Sequence, residues 1–318
     1  MLAGALDVGG TKTIAAFINK HGEIISIEQF KTNTGDMYKH FCHCANTLKS
    51  LAQAQKITTK DLVGIGINMP GMVNHKTGFL DNAPFAGWKN VDVYGYFSEQ
   101  LQNINVFVEN DVNACAMGEL RFGHKERYRS FVWATLSTGI GGAVVFDGEL
   151  IAGKLNRAGE IGHFKVEFDN PAPCPCGQAG CLEAHASGTA IARMIREKDS
   201  LIQKLTIQGL SPDAASLAIL ARQGDSQAIE VYKMAADYLA RGFSHITNLL
   251  NPEAIIIGGG LSLSYDVISP YLMDFIHRYA VADSLDLDIV PTKLGYNAAV
   301  LGAAALVYSR CGLFPLSL

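Results

Sequence analysis

One histidine and three cysteines at short intervals, His163, Cys174, Cys176 and Cys181, make the most chemically pointed cluster in the chain. Three thiolates and an imidazole complete a tetrahedral set for zinc and leave no position for water, which marks a structural ion. The small residues of Cys174-Pro175-Cys176-Gly177-Gln178-Ala179-Gly180-Cys181 let the backbone fold around one ion. His163 could instead be a lone core histidine. Glu160 and Glu183 flank the cluster; they are either solvated surface charges or polar groups that a bound metal would hold in place.

Three further stretches could hold phosphate: Asp7-Val8-Gly9-Gly10-Thr11-Lys12, Ser137-Thr138-Gly139-Ile140-Gly141-Gly142 and Gly258-Gly259-Gly260. Glycine lets backbone N–H groups come close to phosphate oxygens, and threonine hydroxyls add donors. Neither the P-loop nor the dinucleotide fingerprint is present. Each turn alone also suits a tight hairpin; together they favour a bound nucleotide. Asn110-Asp111 stands where a strand gives way to a helix. Either residue could simply cap that helix, or Asp111 could be a general base that takes a proton from an attacking hydroxyl.

The elements that must carry these residues alternate in type. Strands are expected at 2–8, 13–18, 23–30, 61–67, 106–108, 131–136, 143–146 and 254–257. Helices are expected at 38–55, 93–101, 112–121, 188–197, 213–222, 226–250 and 298–308, with 80–88 read as a loop. The strand–glycine turn–strand pattern occurs near the N-terminus and again at 131–146, a weak internal repeat.

Composition narrows the function classes. The 318 residues are 48% hydrophobic and 18% charged, with a formal net charge of −4. That is ordinary globular composition, long enough for two lobes. No basic run offers a nucleic-acid footprint. No apolar stretch is long enough to cross a bilayer, and Asp7 with Gly9-Gly10 interrupts any signal-peptide core. A cytoplasmic protein is expected. The remaining cysteines, Cys42, Cys44, Cys115 and Cys311, lack metal spacing and read as ordinary small residues.

On Glu160-x-Gly-His163 followed by Cys174-x-Cys176-Gly-x-x-Gly-Cys181-x-Glu183, the chain resembles the ROK family (repressors, open reading frames, kinases) of the sugar kinase, Hsp70 and actin superfamily. The resemblance spans essentially the whole chain. It implies an α/β, two-lobed, actin-like ATPase fold of ribonuclease-H-like topology with a central cleft. The smaller lobe would be 1–111 plus 298–318; 112–297 would form the larger lobe with the zinc site and nucleotide-binding region. Asp7, Gly9, Gly10, Thr11 and Lys12 would form the first phosphate motif, Thr138 and Gly139 the second, and Gly259 and Gly260 the adenosine motif. Asn110, Glu160, His163 and Glu183, with Gly71 and Asn82, would bind sugar hydroxyls, Asp111 would be the base, and ATP, Mg²⁺ and structural Zn²⁺ the cofactors. Relatives of this kind are commonly homodimers.

The implied activity is phosphorylation of a hexose primary hydroxyl to the 6-phosphate. The run Leu182-Glu183-Ala184-His185-Ala186-Ser187-Gly188-Thr189 looks most like the glucokinase branch, whereas Asn68 in the loop before Gly71 points away from it. N-acetylmannosamine is the leading alternative substrate, with other acetamido-hexoses, fructose and allose behind it. A non-catalytic, sugar-responsive regulator is a different functional class. Family repressors carry a DNA-binding segment before the first phosphate motif, and here that motif begins at Asp7, so a regulator is not expected.

Overall fold

The N-terminal strands read as near-continuous apolar runs because both of their faces are covered. The computed structural model describes residues 1–101, 104–281 and 286–314. β1 (Leu2–Val8), β2 (Lys12–Asn19) and β3 (Ile24–Lys31) form an antiparallel meander, with β3 largely exposed at the edge. α1 (Met37–Ala54) starts at Asp36, whose side chain accepts from the Lys39 amide, and buries Phe41, Cys44, Ala45 and Leu48 at helical spacing. It leads to β4 (Leu62–Met69), parallel to β1.

The stretch read as a loop at 80–88 is instead part of a small antiparallel sheet. β5 (Met72–Asn74), β6 (Phe79–Ala83) and β7 (Trp88–Asp92) pair in that order. Pro84 and Gly87 form only the turn between β6 and β7. α2 (Val93–Gln100) follows, and β8 (Val106–Asn110) then completes the sheet β3-β2-β1-β4-β8 beside β4.

α3 (Asp111–Phe122) leaves the end of β8. β9 (Phe131–Leu136), β10 (Ile140–Phe146) and β11 (Glu149–Leu150) begin the second sheet, and the cysteine-rich stretch that follows is mostly loop. α4 (Leu182–Ala186), α5 (Gly188–Arg196), α6 (Asp199–Ile207), α7 (Ala214–Arg222) and α8 (Ser226–Leu250) come next. α8 stops at Asn251, left-handed at φ 44°, with Pro252 after it. β12 (Ala254–Gly258) lies parallel to β9, and β13 (Asp288–Pro291) is parallel to β12. Between those strands stands α9 (Tyr265–Tyr279), unexpected from the sequence; it contains Pro270, a residue that ordinarily argues against a helix. The second sheet has the order β11-β10-β9-β12-β13, so the weak hairpin repeat seen in the sequence extends to the whole strand order.

α10 (Ala298–Arg310) closes the described chain. Its small residues matter: a Cβ on Gly302 would stand 2.0 Å from the Ala114 carbonyl of α3, so only glycine permits that approach. Val300, Ala303, Ala304 and Val307 of α10 pack on Ala3, Ala5, Ile14 and Ala16 of the first sheet. The other face of that sheet carries Leu6, Phe17 and Val108 against Phe41, Leu48 and Phe97.

Two compact units emerge, one of Met1–Arg129, Ala143–Ala158 and Lys293–Leu318, the other of Ser130–Gly142 and Gly159–Thr292. These differ from the lobes expected from the resemblance, since α3 falls with the first unit rather than beginning the second. Residues 315–318 of the expected smaller lobe lie outside the described residues. Among the described residues, no helix is long and apolar enough to cross a membrane.

Candidate functional site

In the first unit, parallel pairing brings three strand ends into line. Asp7 stands opposite Asn68, Asn68 opposite Glu109, and Met69 opposite Asn110. The hydrogen bonds show which residue of the Asn110-Asp111 pair caps the helix. Asn110 Oδ1 accepts from the amides of Val112 (2.9 Å) and Asn113 (3.2 Å), so Asn110 is the cap and Asp111 begins the first turn. Burial raises the Asp111 pKa to about 6, against the opposing pull of nearby backbone amides and Asn110. Asp7 is pushed up to about 7, first by burial and then by the charge of Asp111, with Lys12 pulling the other way. Two acids that hold protons unusually well therefore stand near each other.

Asn110 Nδ2 donates to the Gly71 carbonyl at 3.2 Å. Gly71 has φ 135°, and a Cβ there would stand 2.4 Å from the Asn82 carbonyl. Gly71, Asn82, Asn110 and Asp111 are thus brought together as one group. Behind them lies Glu109, wholly buried. Its Oε1 accepts from the Asn110 amide (2.8 Å), Asn113 Nδ2 (3.1 Å) and Asn156 Nδ2 (2.6 Å). Sequence reading passes over Glu109, because a glutamate in a Glu-Asn-Asp run looks like one more surface charge.

The first glycine turn closes with Gly9 N–H donating to Lys12 O at 3.0 Å. It is held from behind by buried residues that the sequence reading also misses. His40 is pushed down to about 4, chiefly by burial, and is neutral. Its Nδ1 lies 3.4 Å from the Asn33 amide, which can only donate, so the proton sits on Nε2. The order then runs from His40 Nε2 to Thr13 Oγ1 (2.9 Å), Thr13 to Thr32 Oγ1 (2.8 Å) and Thr32 to the Gly9 carbonyl (2.7 Å). Gly10, Thr11 and Lys12 remain exposed at the tip.

In the second unit, Ser137 N–H donates to Gly139 O at 2.9 Å, forming the second turn. Its carbonyls are met by α5: the Gly188 amide donates to Ser137 O (2.8 Å) and Thr189 Oγ1 to Thr138 O (2.8 Å). The third turn lies alongside, since Gly259 has φ 79° and a Cβ on it would stand 2.4 Å from Leu136 O. Thr138, Gly139, Gly259 and Gly260 therefore gather at adjoining strand ends.

The ligating atoms of His163, Cys174, Cys176 and Cys181 all lie within 4.8 Å of one another. Cys176 Sγ is 3.7 Å from Cys181 Sγ, and Cys174 Sγ is 3.7 Å from His163 Nδ1. Thiolates about 2.3 Å from one tetrahedral ion would stand roughly 3.8 Å apart, so the two 3.7 Å separations suit a zinc ion held by these residues. His163 Nε2 points away from the thiols and lies 3.9 Å from Glu160 Oε2. Glu183 reaches in two directions: Oε1 is 3.9 Å from Cys174 Sγ, while Oε2 accepts from the Ile140 amide at 2.9 Å. It stands between the cysteine cluster and the second glycine turn.

Known proteins resemble the chain over nearly its whole length. A glucokinase from Halalkalibacterium halodurans is 34% identical over 311 residues, covering 95% of this chain and 93% of the relative. A xylose repressor from Caldicellulosiruptor bescii is 28% identical over 319 residues, covering 98% of this chain and 79% of the repressor. The crystal structure of a ROK family glucokinase from Streptomyces griseus with glucose and AMPPNP superposes with a TM-score of 0.77 at 26% identity, over 96% of this chain and 99% of that one. The α/β actin-like sugar kinase fold implied by the resemblance is the fold the chain adopts. The ROK family model matches residues 3–310, and the chain belongs to the ROK family.

Proposed function

We propose that the chain transfers the γ-phosphoryl group of ATP to the primary hydroxyl of a hexose, with Asp111 as general base. Glucose is the first substrate to test, and N-acetylmannosamine the second. One observation carries the reading: Asn110 does the capping, leaving Asp111 in the first turn of α3 with a pKa raised to about 6. A carboxylate poised there is ionised at neutral pH and still a useful proton acceptor.

In this reading Asp111 takes the hydroxyl proton as the sugar oxygen attacks phosphorus, and positioning supplies most of the rate. Gly71, Asn82, Asn110, Glu160, His163 and Glu183 are assigned to sugar hydroxyls, as the resemblance implies. The glycine turns, with Asp7, Thr11, Lys12 and Thr138, are assigned to ATP. Mg²⁺, which the oxygen donor Asp7 suits, would neutralise charge on the phosphates. Zinc on His163 and the three cysteines would do no chemistry; it would fix the His163 tautomer and leave Nε2 for a hydroxyl.

ADP release measured across glucose, fructose, allose, N-acetylglucosamine and N-acetylmannosamine tests the reading; absence of turnover with every sugar overturns it. The xylose repressor match favours a second reading, a sugar-responsive regulator. Retardation of fragmented genomic DNA, reversed by sugar, would support that one instead.

A further inference from the structure

Most buried polar atoms in a folded protein find a partner, so those that do not need a reason. Four such atoms among the described residues, His75 Nδ1, Glu109 Oε2, Arg121 Nε and Ser309 Oγ, belong to residues that line one cavity of about 340 Å³ in the first unit. The cavity lies against α3 and α10, with Met117 and Leu306 among its apolar walls. Its volume is within the range of small-molecule sites.

The charges are what make it more than a packing defect. Glu109 is wholly buried, and only one of its oxygens is used by the protein. Arg121 sits over the Phe314 ring at 5.1 Å, and burial lowers its pKa. An unpaired buried charge costs several kcal/mol, on the order of the price of breaking a buried ion pair. Yet Glu109 and Arg121 line the same cavity, and neither Glu109 Oε2 nor Arg121 Nε has a hydrogen-bond partner. A molecule with a hydrogen-bond donor for the acid and an anion for the guanidinium would satisfy both.

We propose that this cavity is a second small-molecule site that takes a hydroxylated organic anion, a sugar acid or sugar phosphate, with a hydroxyl on Glu109 Oε2 and the anion on Arg121. Ser309 and His75 supply further hydrogen bonds. The site is coupled to Asp111 by a short route: Glu109 Oε1 holds the Asn110 amide and Asn113 Nδ2, so a ligand on the other oxygen bears on the start of α3. Only this coupling rests on the proposed kinase reading; binding does not.

The test is calorimetric titration of the full chain, saturated with glucose, with gluconate and separately with 6-phosphogluconate. Both are open-chain and unlike a ring hexose. Saturable binding of either, at one site per chain, is expected; the tighter arm identifies carboxylate or phosphate as the preferred anion. Arg121→Gln should weaken it at least roughly tenfold, the worth of a hydrogen bond to a charged group. Ser309→Leu, which fills the cavity, should weaken it as much, and unfolding midpoints show whether either variant has lost its fold. No saturable binding at millimolar ligand, or affinity unchanged in a folded variant, overturns the proposal. Lack of ADP release would instead sink the kinase reading and leave this one standing.

Discussion

The turns at the ends of β1 and β9 hold equivalent places in two sheets of the same strand order, but they are anchored by different chemistry. The first hangs on a neutral buried relay, His40 to Thr13 to Thr32 to the Gly9 carbonyl. The second is held by a carboxylate, Glu183, whose other oxygen faces the cysteine cluster. Near the first turn stand two acids with raised pKa values, Asp7 and Asp111; near the second stands a cluster of one histidine and three cysteines. A shared topology therefore does not imply a shared means of support. In the proposed reading, one region carries the reaction and the other relies on a metal to keep its shape.

If that contrast holds, the largest effect comes from the first region. Asp111→Asn keeps size and hydrogen bonding but removes the base, so turnover should fall roughly 10²–10⁴-fold while calorimetric sugar binding largely persists. Near-normal turnover would remove Asp111 from the chemistry. The second region should respond differently. Cys176→Ser, or treatment with a chelator, should cost the zinc found by metal analysis, near one per chain in the parent. It should also weaken sugar binding by roughly 10–100-fold, the usual scale when support around a metal site is lost. Because Glu183 links cluster and turn, the nucleotide KM should rise as well. Metal loss that leaves the nucleotide KM unchanged would break the link.

The acid side of the pH–rate profile sharpens the same contrast. Asp111 must be ionised to accept a proton, and its pKa is raised to about 6. Turnover should therefore be level above that pH and fall about tenfold per unit below it. The raised pKa has the opposite sign for stability. Between the ordinary carboxylate pKa and about 6, the folded chain binds more protons than the unfolded one, so this group's stabilising contribution shrinks as pH rises through that window. A kcat profile with no acid limb near 6 would argue against Asp111 as the titrating base.

Local chemistry was readable from the sequence where the partners are close along the chain. The cysteine spacing and the Asn110-Asp111 junction needed only a few residues each, and both fold as read. Chain punctuation misled where it served a turn rather than a break: Pro84 and Gly87 hid β6 and β7, and Pro270 hid α9. The relay behind the first turn was invisible for another reason. Thr13, Thr32 and His40 come from β2, the loop after β3, and α1, and nothing in their spacing signals that they meet. Glu183 was legible as a residue near the cluster but not as the tie to the second turn, which only the pairing with Ile140 reveals.

The finest test sets the two anchors against each other. Glu183→Gln retains an acceptor for the Ile140 amide but loses the charge, and its cost should be about 1 kcal/mol, a several-fold rise in nucleotide KM. Thr13→Val should act on stability instead. The valine methyl fills the space of the hydroxyl but leaves His40 Nε2 with only the weak acceptor Cys44 Sγ at 3.6 Å and Thr32 without its donor, a loss of about 1–2 kcal/mol visible in urea unfolding. Zinc content and sugar affinity should not change, because the relay touches none of the cluster's ligands. A Thr13→Val protein that loses zinc would show that the two anchors are not independent, and the contrast between the turns would have to be abandoned.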